Sequence, residues 1–177
     1  MALIEPKGEK ITRTFRLDSA YDDELEREAE KQNNTTSSLI EKIIIEYLNH
    51  GRYVEQEKAI TLIPKALQAF LLELDDETIT QLGTSLGSIV PKEGFMMRGI
   101  PMTEDMTQIL IEKILGEYDH WFTASYHEHS RPYYYLQIHI DGKWTLFIEA
   151  FLKAFYLDNF GKEVDCQRVG ENLQILL

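Results

Sequence analysis

The chain has 177 residues, 44% of them hydrophobic, and a formal charge of −12 from 18 Lys and Arg against 30 Asp and Glu. The apolar fraction supports a real core and excludes wholesale disorder, while a lone cysteine, Cys166, excludes a disulfide framework and a CxxC zinc site. No apolar stretch approaches the ~18 residues of a membrane span, Met1 to Pro6 shows no secretory pattern, and the expected class is a cytoplasmic, acidic protein whose net charge argues at first against nucleic acid.

The first 17 residues depart from that charge. Lys7, Lys10, Arg13 and Arg16 stand against Glu5 and Glu9, a net of +2. Within them Ile11 to Leu17 alternates by two and is rich in β-branched and aromatic residues, which predicts a strand. Ile11, Arg13, Phe15 and Leu17 share one face; Thr12, Thr14 and Arg16 share the other. Asp18 or Ser19 is a good N-cap for a following helix, whose Tyr21, Leu25 and Ala29 lie four apart. Residues 18–32 hold seven acids against Arg27 and Lys31, a net of −5. Asn33-Asn34 is a plausible stop, because Asn tolerates the left-handed conformation. Thr35 or Thr36 then caps a second helix with a broad apolar face of Leu39, Ile40, Ile43, Ile44, Tyr47 and Leu48, which His50-Gly51 is expected to end.

A lone strand leaves its backbone groups unsatisfied, and the second helix is too apolar for one thin partner. Two chains pairing strand to strand and helix to helix remove both problems, so the pattern predicts an obligate homodimer.

Thr12-Arg13-Thr14-Phe15-Arg16-Leu17, the acidic helix, Asn33 to Ser38 and then Leu39 to Leu48 together resemble the ribbon-helix-helix (CopG/Arc/methionine-repressor-like) DNA-binding family over about residues 9–50. The resemblance implies a paired ribbon in the major groove and a phosphate at the second helix's N-terminus. It makes Thr12, Thr14 and Arg16 the base-reading face, with Arg16 placed to bridge guanine O6 and N7. It gives phosphate contacts to Arg13, Thr35, Thr36 and Ser37. Two positions depart from the family pattern. Arg13 stands where an aliphatic residue is usual, so either it reaches out to a phosphate or the register is one residue off and the faces swap. Asn33 replaces the common loop glycine.

Beyond residue 52 the chain is expected to form a helical connector or part of an effector domain over 53–93 and an α+β sensing or oligomerisation domain over 94–177. Gly51 to Lys58 reads as a connection, and a short helix is expected from Pro64 to about Leu72. Asp75 or Asp76 caps another that fades near Gly87, followed by a loop over Pro91 to Gly94. Phe95 to Ile100 then reads as a strand and Thr103 as the cap of a helix with Met106, Leu110 and Ile114. Strands follow over Trp121 to His129 and Tyr133 to Ile140, a helix over Trp144 to Phe160, and strands over Glu163 to Val169 and Asn172 to Leu177. The expected architecture is α+β, with a ferredoxin-like βαββαβ order and extra N-terminal helices. The 144–160 helix is apolar except for a stripe of Thr145, Glu149 and Lys153. It is expected to be sandwiched between the sheet and either the 64–87 helices or a second subunit.

No Gly-rich phosphate loop, nucleophile elbow or HExxH is present, so no enzyme activity is expected. Tyr133, Tyr134 and Tyr135 with Trp121 and Trp144 are open to two readings, an aromatic pocket or sheet core. His127, His129 and His139 are a candidate divalent-metal triad; they share a face only if the hairpin loop has an odd length. The expected function is transcription regulation by a homodimeric, or tetrameric, DNA-binding protein. The alternatives are an antitoxin-like protein-interaction module and a metal or small-molecule sensor without DNA binding.

Overall fold

The structure, a computed structural model, describes residues 8, 9, 11–128, 130–140 and 142–177. The chain divides into two compact units, Met1–Ala59 and Ile60–Leu177.

In the first unit, α1 spans Ser19–Lys31 and α2 spans Thr36–Glu46. Asp18 caps α1 by accepting from the Ala20 N–H at 2.9 Å. Asn33 closes α1 in the left-handed region at φ 51°. The Asn34 N–H then reaches the Ala29 carbonyl and the Asn33 N–H reaches that of Glu30, the two bonds of a Schellman stop. The expected end of α2 at His50-Gly51 is corrected. The helix continues through a π-helical turn, Tyr47–Gly51, into α3, Arg52–Glu57. Gly51 keeps helical angles (φ −51°, ψ −44°), and the chain stops only at Lys58, which turns left-handed at φ 53°. The continuation buries Asn49 and Tyr53, so packing overrides the glycine signal.

In the second unit, α4 (Pro64–Leu72) forms as expected, with proline in its first turn. The next helix, α5, does not fade at Gly87. It runs unbroken from Asp76 to Arg98, through Gly87, Pro91 and Gly94, and ends at Gly99 with φ 65°. The loop expected at 91–94 and the strand expected at 95–100 are therefore helix. Gly83 and Gly87 are one turn apart and lie against the Phe147 and Phe151 carbonyls of the later helix α6, Gly142–Phe160. Here glycine marks a close helix approach rather than a stop. A short 3₁₀ turn, Glu104–Met106, and a π-helical stretch, Ile109–Tyr118, lead into the sheet.

The sheet has four antiparallel strands: β1 (Thr123–His127), β2 (Tyr133–Gln137), β3 (Asp165–Val169) and β4 (Asn172–Leu176), in the order β1-β2-β4-β3. The architecture is α+β, as expected, but the ferredoxin-like order is corrected. Its first strand is part of α5, so two hairpins remain, joined by α6. Leu136, Ile138, Leu173 and Ile175 are buried in the core. Across the sheet, Thr123, Ser125, Tyr133, Tyr135 and Gln174 occupy the alternate positions and are half-buried or exposed.

Helix α6 is sandwiched between α5 and the β3–β4 hairpin. Phe147, Phe151 and Trp144 gather round Trp121, with centroids 5.2 to 5.9 Å from the Trp121 ring. Its polar stripe is accounted for as well. Thr145 is buried and donates to the Glu171 carbonyl at 2.5 Å. Glu149 receives Lys153 Nζ at 2.6 Å and Arg168 Nε at 2.7 Å.

That pair of bonds sets a pH dependence. Burial pushes the Glu149 carboxyl up, but the hydrogen bonds from Lys153 and Arg168 outweigh it and hold it below its ordinary 4.5. A lowered carboxyl contributes stability that is present above its unfolded pKa and lost as pH falls through its folded one. Glu149→Gln is therefore expected to cost about 1 kcal/mol at neutral pH. Its penalty should begin to shrink once pH falls below 4.5 and vanish only as pH passes through the lowered folded value, where the Glu149 carboxyl also becomes neutral. Urea titrations of both proteins at pH 7 and pH 3.5 check this.

Candidate nucleic-acid interface

The site expected from sequence comprises residues 11–17 and the start of α2. Lys7 and Lys10 lie outside the described residues. Thr12, Arg13, Thr14 and Arg16 are all exposed, as are Ile11 (69%), Phe15 (62%) and Leu17 (43%). Residues 11–17 join neither a helix nor a strand ladder within their own chain.

The turn before α2 is ordered by its own side chains. Asn34 Oδ1 accepts from the Thr35 N–H at 2.9 Å. Thr35 is the N-cap: its Oγ1 accepts from the Ser38 N–H at 3.1 Å and donates to Ser38 Oγ at 2.9 Å. The first-turn N–H groups of Thr36 and Ser37 have no intrahelical acceptor, as in any helix. With Thr35 and Ser37 exposed and Thr36 half-buried, these donors stand at the positive end of the α2 dipole, where an anion is stabilised. No acidic side chain occupies this first turn to compete with one.

The apolar face of α2 is largely uncovered in one chain: Ile43 is 48% exposed, Ile44 51% and Tyr47 48%. Among the described residues before Ile60, the buried apolar side chains are Ala29, Leu39 and Tyr53.

The metal triad is not assembled. The β1–β2 register sets His127 opposite Tyr133 and Thr123 opposite Gln137, so the five-residue loop 128–132 is odd and the parity condition is met. His127 and His139 still lie at opposite ends of the hairpin. His139 Nε2 is 2.8 Å from Thr123 Oγ1. Thr123 is four strand residues, roughly 13 Å, from His127, which stacks on Tyr133 with a 4.7 Å centroid separation. His129 lies outside the described residues. Among those described, no group of three His, Cys, Asp or Glu is placed to hold a metal ion.

The aromatic set divides as well. Tyr134 and Trp144 are core residues, and Tyr133 and Tyr135 occupy the other sheet face, where Tyr135 Oη accepts from Asn172 Nδ2 at 2.8 Å. Burial pushes the Cys166 thiol up to about 12, so it stays protonated at neutral pH.

A groove of about 500 Å³ beside α6, lined among others by Thr80, Thr84, Glu149, Lys153 and Leu157, was missed in the sequence. Its trace in the sequence is the Thr80-x₃-Thr84 pair, one helical turn apart on α5 and both lining it.

Compared with protein-family models, with curated proteins and with solved structures, the chain matches none.

Proposed function

We propose that this protein is a DNA-binding transcription regulator. In this reading it acts as a cytoplasmic homodimer through a ribbon-helix-helix unit formed by residues 9–50, and residues 60–177 form an effector or oligomerisation domain. The observation that carries the reading is the apolar surface of the first unit. Ile11, Phe15, Ile43, Ile44 and Tyr47 are about half exposed or more in one chain, more than a 59-residue unit with so small a core can leave in water. A second copy covers that surface by pairing residues 11–17 into a ribbon and packing α2 on α2. The ribbon then turns Thr12, Thr14 and Arg16 toward base edges. Arg13 and the capped α2 N-terminus, with Thr35, Thr36 and Ser37, hold the flanking phosphates.

The acidity of the chain fits this reading. Residues 53–177 hold 19 acids and 10 bases, a net of −9, and repel DNA everywhere except at the ribbon. Non-specific binding should be weak and specific binding steeply salt-dependent.

The test begins with duplexes selected from a random pool by the full chain, with and without a metal chelator. Arg16→Ala is expected to lose about 1–3 kcal/mol on the selected sequence and to relax preference at one base pair. An equal loss on every duplex reassigns Arg16 to phosphate. A weak affinity that does not change with salt overturns the DNA reading.

A further inference from the structure

We infer that α5 carries a second self-association surface, separate from the ribbon, through which the C-terminal units of two chains pack on each other. Successive residues of a helix turn by about 100°. On that count Leu82, Leu86, Ile89, Val90, Met96 and Met97 fall within an arc of roughly 120°. Their exposures are 44%, 41%, 51%, 43%, 74% and 38%. The buried side is the i+4 ridge Ile79, Gly83, Gly87, Pro91 and Phe95, which drifts round the helix by about 40° per step, so that Ile79 falls inside that arc and the uncovered apolar surface begins at Leu82. A third strip, Gln81, Ser85, Ser88 and Lys92, is polar. Helix α5 thus has one face spent on its own core, one suited to water and one apolar face without cover.

Area and symmetry identify the occupant as a second copy. The six side chains leave on the order of 500 Å² per chain, so a homotypic contact buries about 1,000 Å² in total, the floor for a specific interface. Their aliphatic and thioether chemistry is complementary to itself, as a two-fold contact requires. Glu93 is the one charge inside the arc and fixes the direction. A parallel pairing sets Glu93 against Glu93. An antiparallel pairing about Ile89 brings Leu82 against Met96 and separates the two carboxylates by about 12 Å along the axis.

This inference does not depend on DNA binding, and the experiment keeps the two readings apart. Sedimentation velocity is run on the full chain at micromolar concentration. Circular dichroism confirms that each variant remains folded. With Ile44→Asp and Tyr47→Asp removing the α2 face, the chain is expected to remain a dimer. Adding Leu86→Glu and Val90→Glu is expected to make it a monomer. A monomer before the α5 changes, or a dimer after them, overturns the inference.

The α5 changes alone, with α2 intact, are expected to leave a dimer. A monomer there overturns the ribbon reading instead and leaves the α5 surface standing. In a Cys166→Ala background, Ile89→Cys is expected to give a disulfide-linked dimer on oxidation, and Gln81→Cys on the polar strip is not. Equal cross-linking of the two also overturns the inference.

Discussion

Gly87→Leu is expected to lower the stability of the second unit by about 3 kcal/mol, at the upper end of what overpacking costs. A Cβ built at Gly87 meets the Phe151 carbonyl oxygen at 2.1 Å, and one at Gly83 meets that of Phe147 at 2.6 Å. Neither obstacle is a flexible side-chain tip; both are backbone of α6, itself locked between α5 and the sheet. The helices must separate, which loosens Phe151 and Ile148 in the core beneath them. Gly87→Ala shows the competition between terms: alanine gains about 1 kcal/mol of helix propensity yet should still be destabilising by about 2 kcal/mol once the clash is included. Gly142→Ala is the control. Nothing lies within 4 Å of its Cβ position, so it should be neutral or gain up to about 1 kcal/mol. Urea unfolding of the three variants measures all of this, and a stabilising Gly87→Ala would contradict the close approach.

Separating the two units should give opposite outcomes. Residues 60–177 are expected to fold alone with a cooperative transition, because the whole core cluster lies between Leu71 and Ile175. Residues 1–59 are expected to be largely unfolded when dilute and to gain helix as concentration rises. Their buried apolar set is Ala29, Leu39 and Tyr53 among the described residues, and short helices without packing are marginal in water. Far-ultraviolet circular dichroism over a hundredfold dilution reads the difference. Helicity of the 1–59 fragment that does not change on dilution would remove the need for a second copy.

Much of the fold was legible wherever two local signals agreed. Helix α1 has both a cap at Asp18 and a stop at Asn33; the β3–β4 hairpin has alternation on both sides of Gly170, which takes φ 64° in the turn. The buried helix α6 was visible from its nearly continuous apolar surface. What escaped were helices carrying breakers that tertiary contacts tolerate. Gly51, Gly87, Pro91 and Gly94 each read as an interruption, and each sits inside a continuous helical run. At Gly87 the reason is long-range, the α6 backbone approaching from more than fifty residues away, and no local window contains it. The loss of the 95–100 strand follows from the same cause, and with it the ferredoxin-like order. At the candidate site, the capping of α2 by Thr35 was legible because it is local. The separation of His127 from His139 was not, because parity fixes which face a strand residue takes and says nothing of its place along the strand.

The protonated, half-buried thiol of Cys166 makes the molecule its own opening gauge. It pairs with Ile175 across the β3–β4 ladder, and the chain contains no other cysteine. A thiol reagent at neutral pH meets little thiolate while that ladder is closed. Opening of the hairpin relieves that burial, so labelling through open states adds to the slow reaction of the half-buried thiol, and the rate rises with the ease of opening at the sheet edge. A ligand seated in the groove beside Lys153, or a second chain packed on α5, would slow that rate without touching the sulfur. One unmodified residue can thus report occupancy of either surface.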